Sequence, residues 1–392
     1  MVPREPASTS NLRVTEISYH PLLDGNAEFI ELQNITSGAG GVKIDLGSLT
    51  LTEGPNAPFV VPVTATLGPG EFALIVRSIS AFTAAYPSVD PSLILGEYSG
   101  GLSNGGEQIV LLDASGGTLL DLDYRDGDPW PRWADGIGGS LVLSDPAGTP
   151  VDQLDKHYRW RGSSLAAGSP GAVDPAPEGV VINEVLAHTD LPQTDTIELR
   201  NTTGSDLNIG GWFLSDSSVD LLKFQIPLGT MLPAFGYLTF DETDFNPTPL
   251  TPGPKDFALS GSHGDSVWLV VGDALGTSVQ RFVDHVDFGA TFNGVSLARL
   301  PDASGRLAPA AQPSLGAANG AFATSEIVIT EINYHPTAPS AAAMVIDPTI
   351  GASDLEFVEL HNHSAAPVDL TNWRLRGESC LLYTSPSPRD EQ

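Results

Sequence analysis

Thr15-Glu16-Ile17-Ser18-Tyr19-His20-Pro21, followed by Glu28-Phe29-Ile30-Glu31-Leu32-Gln33-Asn34, decides the fold of this chain, because the pattern returns twice. Asn183-Glu184-Val185 precedes Asp195-Thr196-Ile197-Glu198-Leu199-Arg200-Asn201. Thr330-Glu331-Ile332-Asn333-Tyr334-His335-Pro336 precedes Glu356-Phe357-Val358-Glu359-Leu360-His361-Asn362. The first glutamates of the three sets lie 168 and 147 residues apart. That spacing suits whole domains with their own cores, not solenoid repeats.

Working outward, copy one reads as short alternating runs: Leu12–Tyr19, Glu28–Gln33, Ser48–Thr52, Glu71–Arg77, Glu107–Leu112 and Thr118–Tyr124. Turn signals separate them, such as Leu67-Gly68-Pro69-Gly70 and Ala114-Ser115-Gly116-Gly117. Runs of this length and spacing predict an antiparallel sandwich, with a hairpin at Gly116-Gly117. Ser80–Tyr86 is the one stretch expected to make a helical turn. Copy two follows the same order, through Gly211-Trp212-Phe213-Leu214 and Gly264-Asp265-Ser266-Val267-Trp268 to Ser314-Leu315-Gly316-Ala317. The last of these matches the closing Ser169-Pro170-Gly171-Ala172 of copy one.

The fold class is therefore all-β, with tandem sandwiches and a truncated third copy. The expected division is a linker or open N-terminus at 1–11, sandwiches at 12–172 and 179–319, linkers at 173–178 and 320–325, and a partial third copy at 326–379. The run from Cys380 to Asp390 does not continue the repeat. It resembles the conceptual translation of a sequencing adapter, which would end the native sequence near Ser379 and make residues 380–392 foreign.

Composition narrows the function classes. With 18 basic against 48 acidic residues, the net charge is −30. Binding to a nucleic-acid backbone needs Lys and Arg to displace counterions, so nucleic acid is excluded as a partner. No apolar run approaches the roughly 18 residues of a membrane-spanning helix, so insertion is not expected. The start, Met1-Val2-Pro3-Arg4-Glu5-Pro6, has no apolar signal core, and the expectation is that the true N-terminus is missing. Cys380 is the only cysteine, so there is no disulfide framework.

The opening strand pair, the Gly-Trp-x-Leu strand, the Gly-Glu/Asp-x-Val-x-Leu strand and the terminal Ser-x-Gly-Ala together resemble the lamin tail domain family over residues 12–379. The resemblance implies immunoglobulin-like sandwiches, which occur in tandem in large exported bacterial proteins, sometimes beside a kinase-like domain or a hydrolase. Leu49 stands where that family usually has Trp. Nothing resembles the lamin rod, so a filament role does not carry over. The implied setting is extracellular or cell-surface. The implied role is non-catalytic: a spacer, display or adhesion region, monomeric within a larger chain, with a protein or carbohydrate partner that the sequence does not name. Two alternatives stay open. The modules could recruit substrate for a catalytic domain elsewhere, or form a Ca²⁺-dependent carbohydrate-binding module.

Several residue groups could carry chemistry. Glu16, Glu184 and Glu331 recur in alternation with Val14, Ile182 and Ile329, on what reads as an apolar face. Glu31, Glu198 and Glu359 recur on the next strand. Paired acids can act as a catalytic dyad, hold a metal, or bind the fold's own donors; the last is the expectation. Asp121, Asp123, Asp126 and Asp128 form the densest acidic stretch and the only calcium candidate. Arg125 and Arg132 stand where further oxygen ligands would be needed, so no cofactor is expected. Gly101-Leu102-Ser103-Asn104-Gly105 fits a nucleophile elbow, but a β-run follows where a helix is required. His20, His188 and His335 lie near the recurrent glutamates. Asn34-Ile35-Thr36, Asn201-Thr202-Thr203 and Asn362-His363-Ser364 fit glycosylation sequons and, more simply, strand-ending turns.

Overall fold

In the computed structural model, residues 4–375 and 383–384 are described, apart from residues 39, 40, 55, 57 and 372. They form two compact units, Met1–Ala321 and Phe322–Gln392. The all-β expectation holds, since most elements are antiparallel strands. The expected helical turn is a helix at Ile79–Ala85, capped at its start by Ser78.

The first unit has two cores. In the first, a six-stranded sheet faces a four-stranded one. The order in the larger sheet is Trp160–Gly162, Leu141–Leu143, Leu12–Ser18, Phe29–Asn34, Phe72–Val76 and Ile94–Glu97. The smaller sheet runs Thr118–Arg125, Gly106–Leu112, Thr50–Glu53 and Phe59–Val60. Val14, Ile17, Ile30 and Leu32 fill the space between them, with Leu51, Ile109, Leu111 and Leu122. The second core repeats this. Tyr237–Asp241, Thr196–Asn201, Val180–Leu186, Leu297–Arg299 and Leu307–Pro309 make one sheet. Phe224–Gln225, Trp212–Ser215, Gly264–Gly272 and Val279–Gly289 make the other. Ile182, Val185, Ile197 and Leu199 fill this core with Leu214, Val267 and Leu269.

The segment expected as an N-terminal linker is structured. Arg4–Pro6 pairs in parallel with Lys43–Asp45, and Ala7 is buried in the first core. The 173–178 linker is tied down as well. Asp174 is buried and accepts from Arg161 Nη1 at 2.6 Å and from the Ser164 N–H at 2.8 Å. Both segments satisfy polar groups that composition alone did not place.

Two of the three sequon asparagines close their strands from inside. Asn34 and Asn201 are fully buried. Asn34 Nδ2 donates to Leu67 O at 3.0 Å, while its Oδ1 accepts from Thr36 N–H and Oγ1. Asn201 does the same with Leu232 O and Thr203. In the folded state neither amide is accessible to a glycosylating enzyme, so both are turn residues.

In the second unit, Ile327–Asn333 pairs with Phe357–Asn362 as a two-stranded sheet. The long connection near residues 337–353 contains a short helix, Ala341–Ile346. Ser340 caps it by accepting from the Ala343 N–H at 3.2 Å. The alanine-rich sequence and a serine N-cap account for this turn of helix. The adapter-like run 380–390 lies outside the described residues, except that Tyr383–Thr384 pairs with Arg374–Leu375.

Candidate functional site

The recurrent glutamates meet because of a β-bulge. Pairing of Leu12–Ser18 with Phe29–Asn34 shifts register between Val14 and Glu16, leaving Thr15 as the extra residue. Val14 then opposes Leu32, and Glu16 opposes Glu31. Neighbours along a strand point to opposite faces, so Glu16 and Glu31 share the face away from Val14 and Leu32. This corrects the simple alternation, which put Glu16 on the apolar face with Val14. The same shift occurs at Asn183, where Glu184 opposes Glu198, and at Thr330, where Glu331 opposes Glu359.

Each bulged residue donates to the second glutamate of its set. Thr15 Oγ1 lies 2.7 Å from Glu31 Oε1, Asn183 Nδ2 lies 2.8 Å from Glu198 Oε1, and Thr330 Oγ1 lies 2.5 Å from Glu359 Oε1.

In the first unit the other carboxylate oxygens hold the closing Ser-x-Gly turn. Glu16 Oε1 accepts from Ser140 Oγ at 2.5 Å and from the Ser169 N–H at 2.9 Å, and its Oε2 accepts from Ser169 Oγ at 2.7 Å. Glu31 Oε2 accepts from the Gly171 N–H at 2.7 Å. In the second sandwich, Glu184 accepts from Ser296 Oγ and from the N–H and Oγ of Ser314, the latter at 2.8 Å. Glu198 Oε2 accepts from the Gly316 N–H at 2.5 Å. Ala172 N–H and Ala317 N–H close the two turns onto Ser169 O and Ser314 O at 3.0 Å. Gly171 and Gly316 sit at φ +84° and +83°, which a turn of this kind reserves for glycine. The two carboxylates thus form a latch for a segment more than a hundred residues away.

Burial dominates the electrostatics. It raises the Glu16 carboxyl from 4.5 to about 7, against the pull of Ser140 and Ser169. Burial and then the Glu16 charge raise Glu31 to about 8, and burial raises Glu198 to about 7. A carboxyl with a higher pKa folded than unfolded binds its proton more tightly when folded. Its contribution to stability is complete below the unfolded value near 4.5 and is lost as pH rises through 7 to 8. The melting temperature should therefore fall between pH 5 and pH 8.5, with a loss on the order of a few kcal/mol. Thermal melts of Glu16→Gln/Glu31→Gln should show a flatter profile; an unchanged slope would assign the pH dependence to other groups.

The site is poorly suited to a substrate. A cavity of about 70 Å³ adjoins Thr15, Glu16, Glu31, Arg161 and Asp174. Ligand pockets usually span roughly 300–1,000 Å³. A larger open groove of about 920 Å³ runs past Leu22, Leu23, Ala167, Val219, Lys255 and Phe282. Its charged pair, Lys255 with Asp220 at 2.7 Å, is exposed and mutually satisfied.

The remaining candidates disperse. Asp121 and Asp123 lie exposed on Thr118–Arg125, bound to Gln108 Nε2 at 2.6 Å and Arg125 Nη2 at 2.7 Å. Asp128 pairs with Arg306 at 3.0 Å, and Asp126 lies in the intervening bend. Among the described residues no three His, Cys, Asp or Glu side chains are grouped to hold a metal. Millimolar Ca²⁺ should shift the melting temperature by less than about 1 °C; a native-state site saturated at a hundredfold excess would add about 2.7 kcal/mol and several degrees. A shift that Mg²⁺ does not reproduce would restore the Asp121–Asp128 site.

His20 Nδ1 lies 2.6 Å from Asp135 Oδ1, His188 Nδ1 lies 2.8 Å from Thr291 O, and His335 is exposed. Gly101–Gly105 is a turn leading straight into the strand Gly106–Leu112, without the helix a nucleophile elbow requires.

Sequence reasoning missed the donors: Ser140, Ser169, Ser296 and Ser314. It also missed Glu28, buried and bound to Arg77 at 2.6 Å, Tyr98 Oη at 2.7 Å and the Leu102 N–H at 2.7 Å. Spacing held no signal for these partners. The nearest hint was the repeated Ser-x-Gly-Ala.

A comparison with curated proteins finds no match. A comparison with family models matches residues 174–290 to the Lamin Tail Domain. That span holds Glu184, Glu198, the Trp212 strand and the Gly264–Gly289 hairpin, and ends before Ser296 and Ser314. It supports the resemblance on which an immunoglobulin-like sandwich was expected. Residues 174–290 of this chain are a lamin tail domain.

Proposed function

We propose that the chain is a non-catalytic run of lamin-tail-like modules, at 12–172, 179–319 and 326–379, serving as a spacer, display or adhesion region of a larger exported bacterial protein. One observation carries this reading. The paired carboxylates that would make the obvious acid–base dyad spend their oxygens on the fold's own serine hydroxyls and backbone amides. A general acid or base needs an oxygen directed at a substrate proton. The acidic composition suits an extracellular surface region that resists self-association. The groove bearing Leu22, Leu23 and Val219, exposed at 61%, 82% and 95%, suits an adhesive contact with a protein or carbohydrate. No cofactor is needed for either role.

The test has two arms. Turnover of chromogenic ester, glycoside and phosphate substrates should stay at the blank. A rate lost in Glu16→Gln or Glu184→Gln would make the pair catalytic and overturn the reading. Immobilised glycan and surface-protein panels then separate adhesion, which gives saturable binding, from spacing, which gives none.

A further inference from the structure

Ser164–Ala166 belongs to the strap that closes the first sandwich, yet its backbone bonds to the second. Ala166 N–H donates to Gln280 O at 3.0 Å, and Phe282 N–H donates to Ser164 O at 2.9 Å. Leu165 and Arg281 face each other in an antiparallel bridge. The acceptor, Val279–Gly289, is the outer strand of its four-stranded sheet. Such an edge otherwise leaves N–H and C=O groups unpaired.

Side chains reinforce the bridge. Trp133 of the first sandwich stacks on Phe282 of the second, with centroids 5.6 Å apart and planes 11° from parallel. Trp133 Nε1 donates to Ser163 O at 2.9 Å, which fixes the indole from its own side. Phe282 is buried with Phe213, Leu221, Trp268 and Val270 on the outer face of the second sandwich. Arg132 reaches Asp287 at 3.7 Å, and Arg306 reaches Asp128 at 3.0 Å, so the ion pairs cross in both directions. Arg281 also pairs with Glu178 in the connecting segment. Only 18 residues of the chain are Lys or Arg, so three arginines here are a concentrated use of scarce cations.

We propose that Ser164–Ala166 is a donor strand that completes the sheet edge of the second sandwich and fixes the two sandwiches at one angle as a single body. Strand addition of this kind draws affinity from main-chain hydrogen bonds and specificity from the flanking side chains. A six-residue connector alone would leave relative motion as the default.

The docking is one-way and particular to this pair. The hairpins correspond at their bulges, where Leu112 opposes Thr118 and Val270 opposes Phe282. Beyond that point the first hairpin turns at once through Asp113–Gly117. The second continues through Val271 with Arg281 and Gly272 with Val279, and that extension carries Gln280 and Arg281, two of the three residues the donor segment meets. The donor is equally asymmetric. Ser163 N–H and Ala310 N–H bond equivalently to Ser140 O and Ser296 O. From there the first sandwich reaches its latch serine at Ser169, whereas the second reaches Ser314 two residues sooner, without the Leu165–Ala167 excursion. The interface is heterologous: the first sandwich donates and the second accepts. This holds whether the modules space or adhere.

Pulsed electron-spin distances test it in the full chain carrying Cys380→Ser, with labels on the exposed Ser115→Cys and Thr248→Cys. The unsubstituted junction should give one narrow distribution. Phe282→Ala and Ala166→Pro should each broaden it about twofold or more, as freely linked domains move. Slow amide exchange at Gly171 and Gly316 would confirm that both sandwiches remain folded. A broad starting distribution, or a narrow one unchanged in the folded variants, overturns the proposal. If both variants lose amide protection, the exposed pair Arg132→Glu/Arg306→Glu replaces them, with the same broadening expected and an unchanged width counting against the proposal.

Discussion

Glu16→Ala and Glu184→Ala should each destabilise their sandwich by about 4 kcal/mol, out of the 5–15 kcal/mol typical of a whole domain. Glu16 is fully buried and takes three donors: the Ser140 hydroxyl, the Ser169 hydroxyl and the Ser169 N–H. Alanine leaves all three facing a void. A stranded buried donor costs about 1–3 kcal/mol, and rotation of the two hydroxyls or entry of water recovers part of that. Glu184 holds an equivalent set from Ser296 and Ser314, so its loss should match. Glutamine keeps the shape and one acceptor, and should cost only about 1–2 kcal/mol. Urea unfolding at pH 6 measures the totals, and amide exchange locates them. Gly171 should lose protection first in Glu16→Ala, and Gly316 in Glu184→Ala. A loss below about 1 kcal/mol for both alanines would mean that the strap is held by packing, with the carboxylates as bystanders.

The elements of each sandwich were legible because they depend on local pattern. The run Glu107–Leu112 and its Gly-rich link to Thr118–Tyr124 define a hairpin by alternation and turn chemistry, and the structure pairs them there. The recurrence of Glu16 and Glu31 was legible too. The face on which they sit was not. One extra residue at Thr15 reverses the pleat, and a bulge leaves no compositional mark when the inserted residue is a threonine or an asparagine.

The rest of the latch is non-local. Ser140 and Ser169 lie 124 and 153 residues from Glu16 in sequence, and they become partners only when the strap crosses the outer face of the sheet. The same limit hid the junction. Trp133 and Phe282 carry no shared pattern, and the edge that Ser164–Ala166 completes exists only once Val279–Gly289 is an outer strand. Tertiary pairing also ordered Arg4–Pro6, within the stretch expected as a linker or open N-terminus.

Limited proteolysis of the 392-residue chain should remove the second unit roughly a hundredfold faster than it cuts the first, leaving a core that ends near Ala321. The reason is visible residue by residue. Ile17 and Ile30 are 0% and 1% exposed in the first sandwich, and Val185 and Ile197 are 0% exposed in the second. Their counterparts Ile332 and Val358 are 58% and 36% exposed, and Ile329 and Leu360 are 50% and 46% exposed. Burying such a side chain is worth about 1.5–3 kcal/mol, and the other sheet among the described residues of this unit, the short pairing of Arg374–Leu375 with Tyr383–Thr384, leaves these side chains exposed. Backbone ordering costs about 1–2 kcal/mol for every residue in the two strands, and an isolated two-stranded sheet is marginal at best. The bulge at Thr330 and its bond to Glu359 are retained, but one hydrogen bond contributes only about 1 kcal/mol. Local pattern therefore places these strands in register without the burial that would hold them. Mass spectrometry of a thermolysin time course decides the matter. Accumulation of a fragment ending close to Phe322 is expected. If residues 326–362 survive as long as the two cores, the strand pair must have found apolar cover.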